Sequence, residues 1–260
     1  MDYEFITMET TGRVLKLSLN RAPANALGRA FGEELFRAFC EVQHRDDVTV
    51  VIITSALEKA FIAGADIKEM AAMDQSQSAS FSKLLQEAYS MLPRLKKVVI
   101  AAINGHAMGG GCELALACDY RFMARGKALI GLPEAGLGIV PGAGGTQRLP
   151  RLVGLSKAMD ILLRGRVLGA EEALEIGLVD RLFDAETFQE EVMAFATGLA
   201  SGAGKALGFI KAAVMEGIDL PIEKGFDVER KYGLENLRTQ DAKEGLTAFA
   251  EKRKPNFTNQ

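Results

Sequence analysis

The stretch VVIAAINGHAMGGGCELALACD, residues 98–119, decides the fold of this chain. It opens with an uninterrupted apolar run over 98–103, which is typical of a strand that is buried on both faces. The run ends at residues 104–105, three glycines follow at 109–111, and a helical pattern begins at Cys112. A buried strand, a glycine turn and a helix in this order predict an α/β fold.

The glycines at 109–111 support two interpretations. In the first, they clear side chains from a helix N-terminus, so that free N–H groups and the positive end of the helix dipole can bind an oxyanion. Glu113, one helical turn after Gly110, would then reach the same cavity. In the second, the glycines only let a strand and a helix pack closely, and Glu113 complements the helix dipole.

Similar patterns continue on both sides of this stretch. Alternating residues at 3–8 and 12–19 predict an antiparallel hairpin that turns at Thr11-Gly12. Helical spacing at 28–45 followed by a β-branched run at 48–54 predicts a helix and then a parallel strand. The other predicted elements are a helix at 76–96, weaker strands at 120–124 and 178–183, and helices at 156–164, 170–176, 186–200, 203–217, 221–236 and 239–252.

Helical patterns dominate from Leu155 onward. This order predicts a strand-and-helix core over residues 1–200 and a helical C-terminal region over 201–260. Because no low-complexity linker separates the two, a docked helical extension and an independent domain are both compatible with the sequence.

A second loop, KAFIAGADIKEM at 59–70, resembles the glycine turn in its chemistry. Small residues at 60 and 63–65 lead into Asp66-Ile67-Lys68, where a helix can begin. Small side chains expose backbone amides at the carboxyl end of a strand, the edge at which α/β folds bind ligands. Together with the glycine turn, this loop could direct two N–H donors at one oxygen.

A third segment, IGLPEAGLGIVPGAGGTQRLPRLVG at 130–154, presents an acid in apolar surroundings. Pro133 fixes the backbone before Glu134, and the six glycines between residues 131 and 145 predict that the segment lacks regular structure. Poor solvation would raise the pKa of Glu134 and suit it to general acid-base catalysis. The alternative is an exposed loop glutamate without a catalytic role.

The composition argues against several classes of protein. Hydrophobic residues make up 48% and charged residues 25% of the 260 residues, as in ordinary folded proteins. The net charge of −3 arises from interspersed signs, so nucleic acid is not an expected partner. No apolar run reaches the roughly 18 residues of a membrane span, and the N-terminus has no secretory h-region. Cys40, Cys112 and Cys118 follow no CxxC pattern, which favours reduced thiols and a cytoplasmic location.

Motifs of other enzyme classes are missing. The sequence contains no P-loop string and no GxSxG elbow, and its near match to a dinucleotide fingerprint at 136–141 has proline at the third glycine position. Its two histidines, His44 and His106, and its cysteines lack the spacing of a zinc site, so no metal is expected. We expect His106 to pack or hydrogen-bond rather than to catalyse.

Taken together, these segments resemble the enoyl-CoA hydratase/isomerase (crotonase) family. The resemblance runs in order across nearly the whole chain, with one residue more than the common pattern between Asp119 and Pro133, a difference that leaves Glu134 in register. The matching strings are NRAPANAL (20–27), AFIAGADIKEM (60–70), NGHAMGGGCELALACD (104–119), GLPEAGLGIVPGAGGTQRLPRLVG (131–154) and AFAEKRKPNF (248–257).

The resemblance implies a fold and a site. The implied fold is a crotonase-like α/β spiral of ββα repeats with a C-terminal helical trimerisation region, assembled as a homotrimer or a homohexamer. The positions that match the family's oxyanion-hole donors are Ala65 and Gly110, and those that match its acid-base pair are Glu113 and Glu134. The positions that match its CoA-contacting segment are Ala63, Asp66, Ile67 and Lys68. CoA belongs to the thioester substrate, so no separate cofactor is expected.

Glutamate at both acid positions favours hydration of a trans-2-enoyl-CoA, because double-bond isomerases of the family commonly keep only one acid. An isomerase, or another acyl-CoA lyase with the same oxyanion hole, is the first alternative. A non-catalytic or RNA-binding relative is the second, and it predicts lost acids or an added basic patch, neither of which the sequence shows.

Overall fold

The fold opens with the predicted hairpin. In the computed structural model, which describes residues 2–260, β1 (Ile6–Thr11) pairs antiparallel with β2 (Val14–Leu19). Thr11 lies opposite Val14, so that the turn consists of residues 12–13, and Gly12 has a φ of +57°, which glycine adopts without strain. The hairpin prediction is confirmed, with the turn one residue later than predicted.

After α1 (Arg29–Gln43), the chain follows a repeating course through two sheets. Each repeat adds one strand to a large sheet, one short strand to a small sheet, and then a helix. The three repeats are β3 (Val50–Ser55), β4 (Ala60–Ile62), α2 (Ile67–Ala72) and α3 (Gln75–Met91); β5 (Val98–Ile103), β6 (His106–Met108) and α4 (Gly110–Leu116); and β7 (Tyr120–Ala124), β8 (Ile130–Gly131) and α5 (Gly145–Val153). This confirms the predicted α/β spiral of ββα repeats.

The remaining elements complete both sheets and add a helical C-terminal part. They are α6 (Leu155–Arg164), β9 (Val167–Leu168), α7 (Ala170–Glu175), β10 (Arg181–Phe183), α8 (Phe188–Ala200), α9 (Gly204–Gly217), α10 (Ile222–Asn236) and α11 (Gln240–Ala250). The large sheet has the order β1-β2-β3-β5-β7-β10 and is parallel from β2 onward. The small sheet has the order β4-β6-β8-β9, with β9 antiparallel to β8.

The central strands β3 and β5 of the large sheet are buried on both faces, as their continuous apolar sequences require. One face, including Val51, Ile53 and Val99, belongs to a core cluster shared with α1, α3, α4 and the small sheet. The opposite face, including Ile52 and Ile100, packs against α8. The short strands of the small sheet are thereby held in place although each has only two or three residues.

Three element predictions need correction. Segment 130–154 is irregular mainly at residues 138–144, because it also contains a 3₁₀ helix at Pro133–Leu137 and α5. Pro133 fits the first helical position, where an N–H is not needed. The strand predicted at 178–183 covers only β10, since the N–H groups of Leu178 and Val179 both donate to Ala173 O in the turn after α7. Helix α4 begins at Gly110 rather than at Cys112.

A buried ion pair attaches α9 to the core. Lys211 Nζ donates to Asp119 Oδ2 at 2.7 Å, and also to the carbonyl oxygens of Leu92 at 2.7 Å and Lys97 at 2.9 Å. Asp119 Oδ2 accepts a further hydrogen bond from Val99 N, at the start of β5. The division into 1–200 and 201–260 stays a prediction.

Within residues 2–260 no single helix is long and apolar enough to span a membrane. Helices α8 and α9 are long and apolar enough only when taken together, and the two are bent by 96° relative to each other.

Candidate active site

A cavity of about 380 Å³ lies where β4 and β6 end and α4 begins. Residues 63–65 follow β4, residues 108–110 connect β6 to α4, and both groups line the cavity. The carboxyl ends of parallel strands are the edge at which α/β sheets bind ligands. The predicted donors and acids share this cavity, and they are Ala65, Gly110, Glu113 and Glu134.

The Ala65 N–H is left free by the way its loop is tied down. Ala65 forms an isolated parallel bridge with Leu27, in which Leu27 N donates to Gly64 O and Asp66 N donates to Leu27 O, both at 2.8 Å. Within residues 2–260, the Ala65 N–H itself has no acceptor. The bridge therefore fixes a donor that can serve a ligand in the cavity.

The Gly110 N–H is free for a different reason. Gly110 is the first residue of α4, and the N–H groups of a helix's first turn have no partner inside the helix. Glu113 N donates to Gly109 O at 2.9 Å, while Gly109 N donates to Gly131 O at 2.9 Å. Gly109 has a φ of +52°, a conformation that favours glycine. The N–H of Gly110, the residue after Gly109, has no acceptor within residues 2–260.

The glycine cluster also serves close packing, as the second interpretation expects. A Cβ atom at Gly110 would overlap the Leu27 side chain, and one at Gly111 would overlap the Ile62 carbonyl. The same small residues therefore allow the strand-helix contact and keep the helix N-terminus open.

Glu113 is buried on α4, with only 2% of its surface exposed. Its Oε1 accepts hydrogen bonds from Ala143 N at 2.8 Å and Gly145 N at 2.7 Å. Burial raises the pKa of Glu113, an effect that the two amides and the Arg148 charge oppose. Within residues 2–260, its Oε2 has no hydrogen-bond donor, so one carboxylate oxygen is anchored and the other is free to act on a ligand.

Glu134 lies in the 3₁₀ helix and is 8% exposed. Its Oε2 is buried without a hydrogen-bond partner in residues 2–260. Burial, with a smaller contribution from the Glu113 charge, raises the pKa of Glu134 to about 7. Glu134 is thus poorly solvated, as predicted, and it is not an exposed loop residue. Its catalytic role stays a prediction. A carboxyl with this pKa can hold or release a proton near neutral pH.

The segment matched to CoA contacts divides into two parts. Ala63 and Ile67 line the cavity. Asp66 instead caps α2 by accepting the Glu69 N–H, and it pairs with Arg21 at 3.1 Å. Lys68 is exposed on α2 and does not line the cavity. The geometry thus brings two of the four residues to the wall and leaves the other two outside it.

The family's sequence model decides the chain's affiliation. The model described as enoyl-CoA hydratase/isomerase matches residues 9–260. This chain belongs to the enoyl-CoA hydratase/isomerase family. Its sequence is 42% identical over 259 residues to the crotonyl-CoA hydratase of Syntrophomonas wolfei, with 99% of both chains covered. It is 39% identical over 255 residues to the short-chain-enoyl-CoA hydratase of Clostridium acetobutylicum, covering 98% of this chain and 97% of the relative.

Solved structures of the family share the fold over the whole chain. The enoyl-CoA hydratase of Bacillus anthracis superposes with a TM-score of 0.94 at 40% identity, covering 99% of this chain and 100% of that one. A Geobacillus kaustophilus structure superposes with a TM-score of 0.98 at 37% identity, covering 100% of this chain and 98% of that one.

Some supporting residues of this family member were not predicted from the sequence. Asn25, in the matched string NRAPANAL, is fully buried at a φ of 52°, and its Nδ2 donates to Ser55 Oγ and Phe61 O. Asparagine tolerates this backbone conformation, which is the only signal that the sequence offered. The hydrogen bonds from Ala143 and Gly145 to Glu113 come from main-chain amides, so that no residue type in the sequence indicates them.

Residues 2–260 contain no group of three or more His, Cys, Asp or Glu side chains placed to hold a metal ion. His106 accepts a hydrogen bond from Leu129 N at 3.1 Å through its Nδ1, in line with the predicted packing role.

Proposed function

We propose that this chain is an enoyl-CoA hydratase, which adds water across the 2,3 double bond of a trans-2-enoyl-CoA to give a 3-hydroxyacyl-CoA. One observation carries the proposal: two buried glutamates and two free backbone N–H groups line the same cavity. The hydratase names of the two relatives support it.

The amides of Ala65 and Gly110 are proposed to bind the thioester oxygen. When water adds to the β-carbon, the electron pair of the double bond moves toward the thioester, and its oxygen gains negative charge. Fixed N–H donors stabilise this charge without the reorganisation that solvent would need, and each can contribute roughly 3 kcal/mol. Neither amide has a competing acceptor within residues 2–260, which supports this role.

The two glutamates are proposed to move the protons. Glu113 takes a proton from water as the water oxygen bonds to the β-carbon, and Glu134 gives a proton to the α-carbon as the enolate collapses. The pKa of about 7 for Glu134 supports this assignment, because a good share of the carboxyl is protonated at neutral pH. Since the two carboxyls interact, their protons belong to the pair as a whole.

The CoA part of the substrate is proposed to bind along residues 63–68. Ala63 and Ile67 contribute wall contacts, and the position of Asp66 and Lys68 beside the wall suits them to the outer, adenine end of CoA. CoA is part of the thioester substrate, and we propose no separate cofactor, no metal and no nucleic-acid partner.

The competing isomerase is less well supported, because both acids are present and the named relatives are hydratases. Incubation with trans-2-enoyl and 3-enoyl thioesters separates the two activities. A hydratase removes the conjugated-thioester absorbance of the 2-enoyl substrate, whereas an isomerase creates this absorbance from the 3-enoyl substrate. If the protein turned over the 3-enoyl thioester faster than the 2-enoyl thioester, it would be an isomerase and the hydratase proposal would be wrong.

Each acid is tested by its amide analogue. We expect Glu113→Gln and Glu134→Gln each to reduce crotonyl-CoA hydration by orders of magnitude, since general acid-base catalysis contributes roughly 10²- to 10⁴-fold. Circular dichroism would establish that each variant is folded. Near wild-type turnover of a variant would remove that residue from the mechanism.

We also propose that the chain assembles as a homotrimer or homohexamer and acts in the cytoplasm. Large apolar side chains are exposed along the C-terminal helices, which supports association. They are Ile210, Val214, Ile218, Ile222, Phe226, Leu234, Leu237, Leu246 and Phe249. The three free cysteines, Cys40, Cys112 and Cys118, support a reducing compartment.

A further inference from the structure

The loop that binds Glu113 is itself held by hydrogen bonds from Arg148 and from α3. Residues 142–145 lie between Glu113 and α3, and the amides of Ala143 and Gly145 both donate to Glu113 Oε1. The position of this carboxylate therefore depends on the position of the 142–145 loop.

Arg148 connects the loop to α3. Its Nη1 donates to Ala143 O at 2.9 Å, and its Nη2 donates to Ser90 Oγ on α3 at 3.2 Å. One residue, Ala143, thus gives its N–H to Glu113 and its C=O to Arg148. The loop fits the guanidinium closely, because Gly144 has a φ of +114° and a Cβ atom there would overlap Arg148 Nη1.

Helix α3 also fixes the other end of the loop. Ser82 Oγ donates to Gly142 O at 2.6 Å, and Gln86 Nε2 donates to the same oxygen at 2.8 Å. Both of these hydrogen bonds go to Gly142 O, so that the Ala143 carbonyl is held by Arg148 and not by α3. Loss of Arg148 would therefore free the centre of the loop while its first residue stays attached.

Arg148 also acts on Glu113 through its charge. It lowers the pKa of Glu113 against the larger effect of burial. The other titratable groups around Glu113 are Glu134 in the 3₁₀ helix, Cys112 beside it on α4 and Tyr89 on α3. None of these three side chains is a cation, so they cannot replace the positive charge of Arg148.

We propose that Arg148 is a positioning residue of this active site: it fixes the 142–145 loop so that Glu113 Oε1 stays anchored and Oε2 is presented to the water molecule. Arg148 does not line the cavity, so it acts through Glu113 and not on the substrate. The inference rests on the proposed hydratase function for its kinetic consequence, but not for its structural one.

Three variants test the role of Arg148. Arg148→Gln removes the charge, and Arg148→Lys keeps the charge but cannot hold two acceptors with one planar fork. Arg151→Gln is the matched control, because Arg151 is exposed on the same helix and its polar contacts within residues 2–260 are with Gln147 O and Asp219. Thermal unfolding reports whether each variant is folded.

For Arg148→Gln we expect kcat for crotonyl-CoA to fall by roughly 10- to 100-fold with little change in KM, since a misplacement of about 1 Å can cost about 100-fold. The acidic limb of the kcat/KM profile should move to higher pH, because Glu113 must be ionised to act as a base and loses the cation that favours ionisation. Arg148→Lys should return the acidic limb to its wild-type pH but restore only part of kcat. This variant replaces Arg148→Gln in the test if Arg148→Gln does not fold. A kcat and a pH profile equal to those of Arg151→Gln would overturn the proposal.

A spectroscopic readout keeps this test separate from the hydratase proposal. Carbon-13 NMR of glutamate-labelled protein, with the Glu113 signal assigned from Glu113→Gln, follows the titration of that carboxyl directly. We expect it to titrate at higher pH in Arg148→Gln than in the wild type and Arg151→Gln. An inactive wild-type protein that shows this shift would refute the hydratase function and retain the positioning role, whereas an unshifted titration would refute the positioning role alone.

Discussion

The Glu134 carboxyl is buried on the cavity wall, and its Oε2 has no hydrogen-bond partner within residues 2–260. Such an arrangement destabilises the folded protein once the carboxyl is ionised, because a buried charge without donors loses its hydration. The raised pKa of Glu134 expresses the same cost. The proposed transfer of a proton from Glu134 to the α-carbon gives a functional reason to keep this destabilising carboxyl at the site.

Stability should therefore depend on pH through Glu134. The folded protein binds this proton more tightly than the unfolded chain does, so the resulting stabilisation is complete below the ordinary glutamate pKa and is lost as pH rises through about 7. We expect Glu134→Gln to raise the free energy of unfolding by about 1–3 kcal/mol at alkaline pH, where the wild type carries the unpaired charge. At acidic pH, where the carboxyl is protonated, the gain should shrink.

Denaturant unfolding of both proteins at several pH values measures this difference. Glu9→Gln, at an exposed glutamate in β1, is a suitable control. A stability difference that does not vary with pH would show that Glu134 is hydrated or paired in the folded protein.

At the scale of elements, the buried pair of Lys211 and Asp119 joins α9 to the start of β5. Burial lowers the pKa of Lys211 and raises that of Asp119, while the attraction between the two opposes both effects. Removing one partner leaves the other charge buried and alone. We expect Lys211→Met to reduce the free energy of unfolding by about 3–5 kcal/mol.

The double variant Lys211→Met with Asp119→Asn tests the origin of that loss. It should recover much of the stability, because no uncompensated charge remains. The same unfolding curves test the predicted boundary near residue 200. A second transition in Lys211→Met would indicate that residues 201–260 unfold on their own, and a destabilisation below about 1 kcal/mol would show that the pair is not needed to dock α9.

Long elements were predictable from the sequence because their periodicity spans several turns or a full buried strand. The run at 98–103 coincides with β5, and the helical pattern at 28–45 contains α1. The strands β4, β6, β8 and β9 were not predicted, since two or three residues are too few to show a period of two. They exist because the large sheet and the flanking helices hold them in position.

The site was predictable only where side chains or glycines mark it. Glu113 and Glu134 were found as acids beside glycine-rich turns, and the structure places both on one cavity. The hydrogen bonds from Ala143 and Gly145 to Glu113 were not predicted, because they come from main-chain amides. The role of Arg148 was not predicted either, because Arg148 binds Ser90, which lies 58 residues earlier in the chain.

At the scale of the whole molecule, the C-terminal helices expose several large apolar side chains, and clusters of such side chains often mark surfaces that associate. Phe226 on α10 is 53% exposed and Phe249 on α11 is 86% exposed. We expect sedimentation equilibrium to give a mass of three or six chains of 28.0 kDa. Phe226→Glu should reduce that mass, whereas Glu229→Gln, an exposed polar change on the same helix, should not. A wild-type mass of one chain would contradict the proposed assembly.

The amides of Ala65 and Gly110 are the proposed binding site of the thioester oxygen. A crystal structure with acetoacetyl-CoA, a thioester without a 2,3 double bond to hydrate, tests it most directly. We expect the thioester oxygen to lie about 2.7–3.1 Å from the backbone nitrogens of both Ala65 and Gly110, with the Glu134 carboxyl against the α-carbon and the Glu113 carboxyl against the β-carbon. A thioester oxygen that contacts neither amide, or an acyl chain bound outside this cavity, would contradict the proposed binding site.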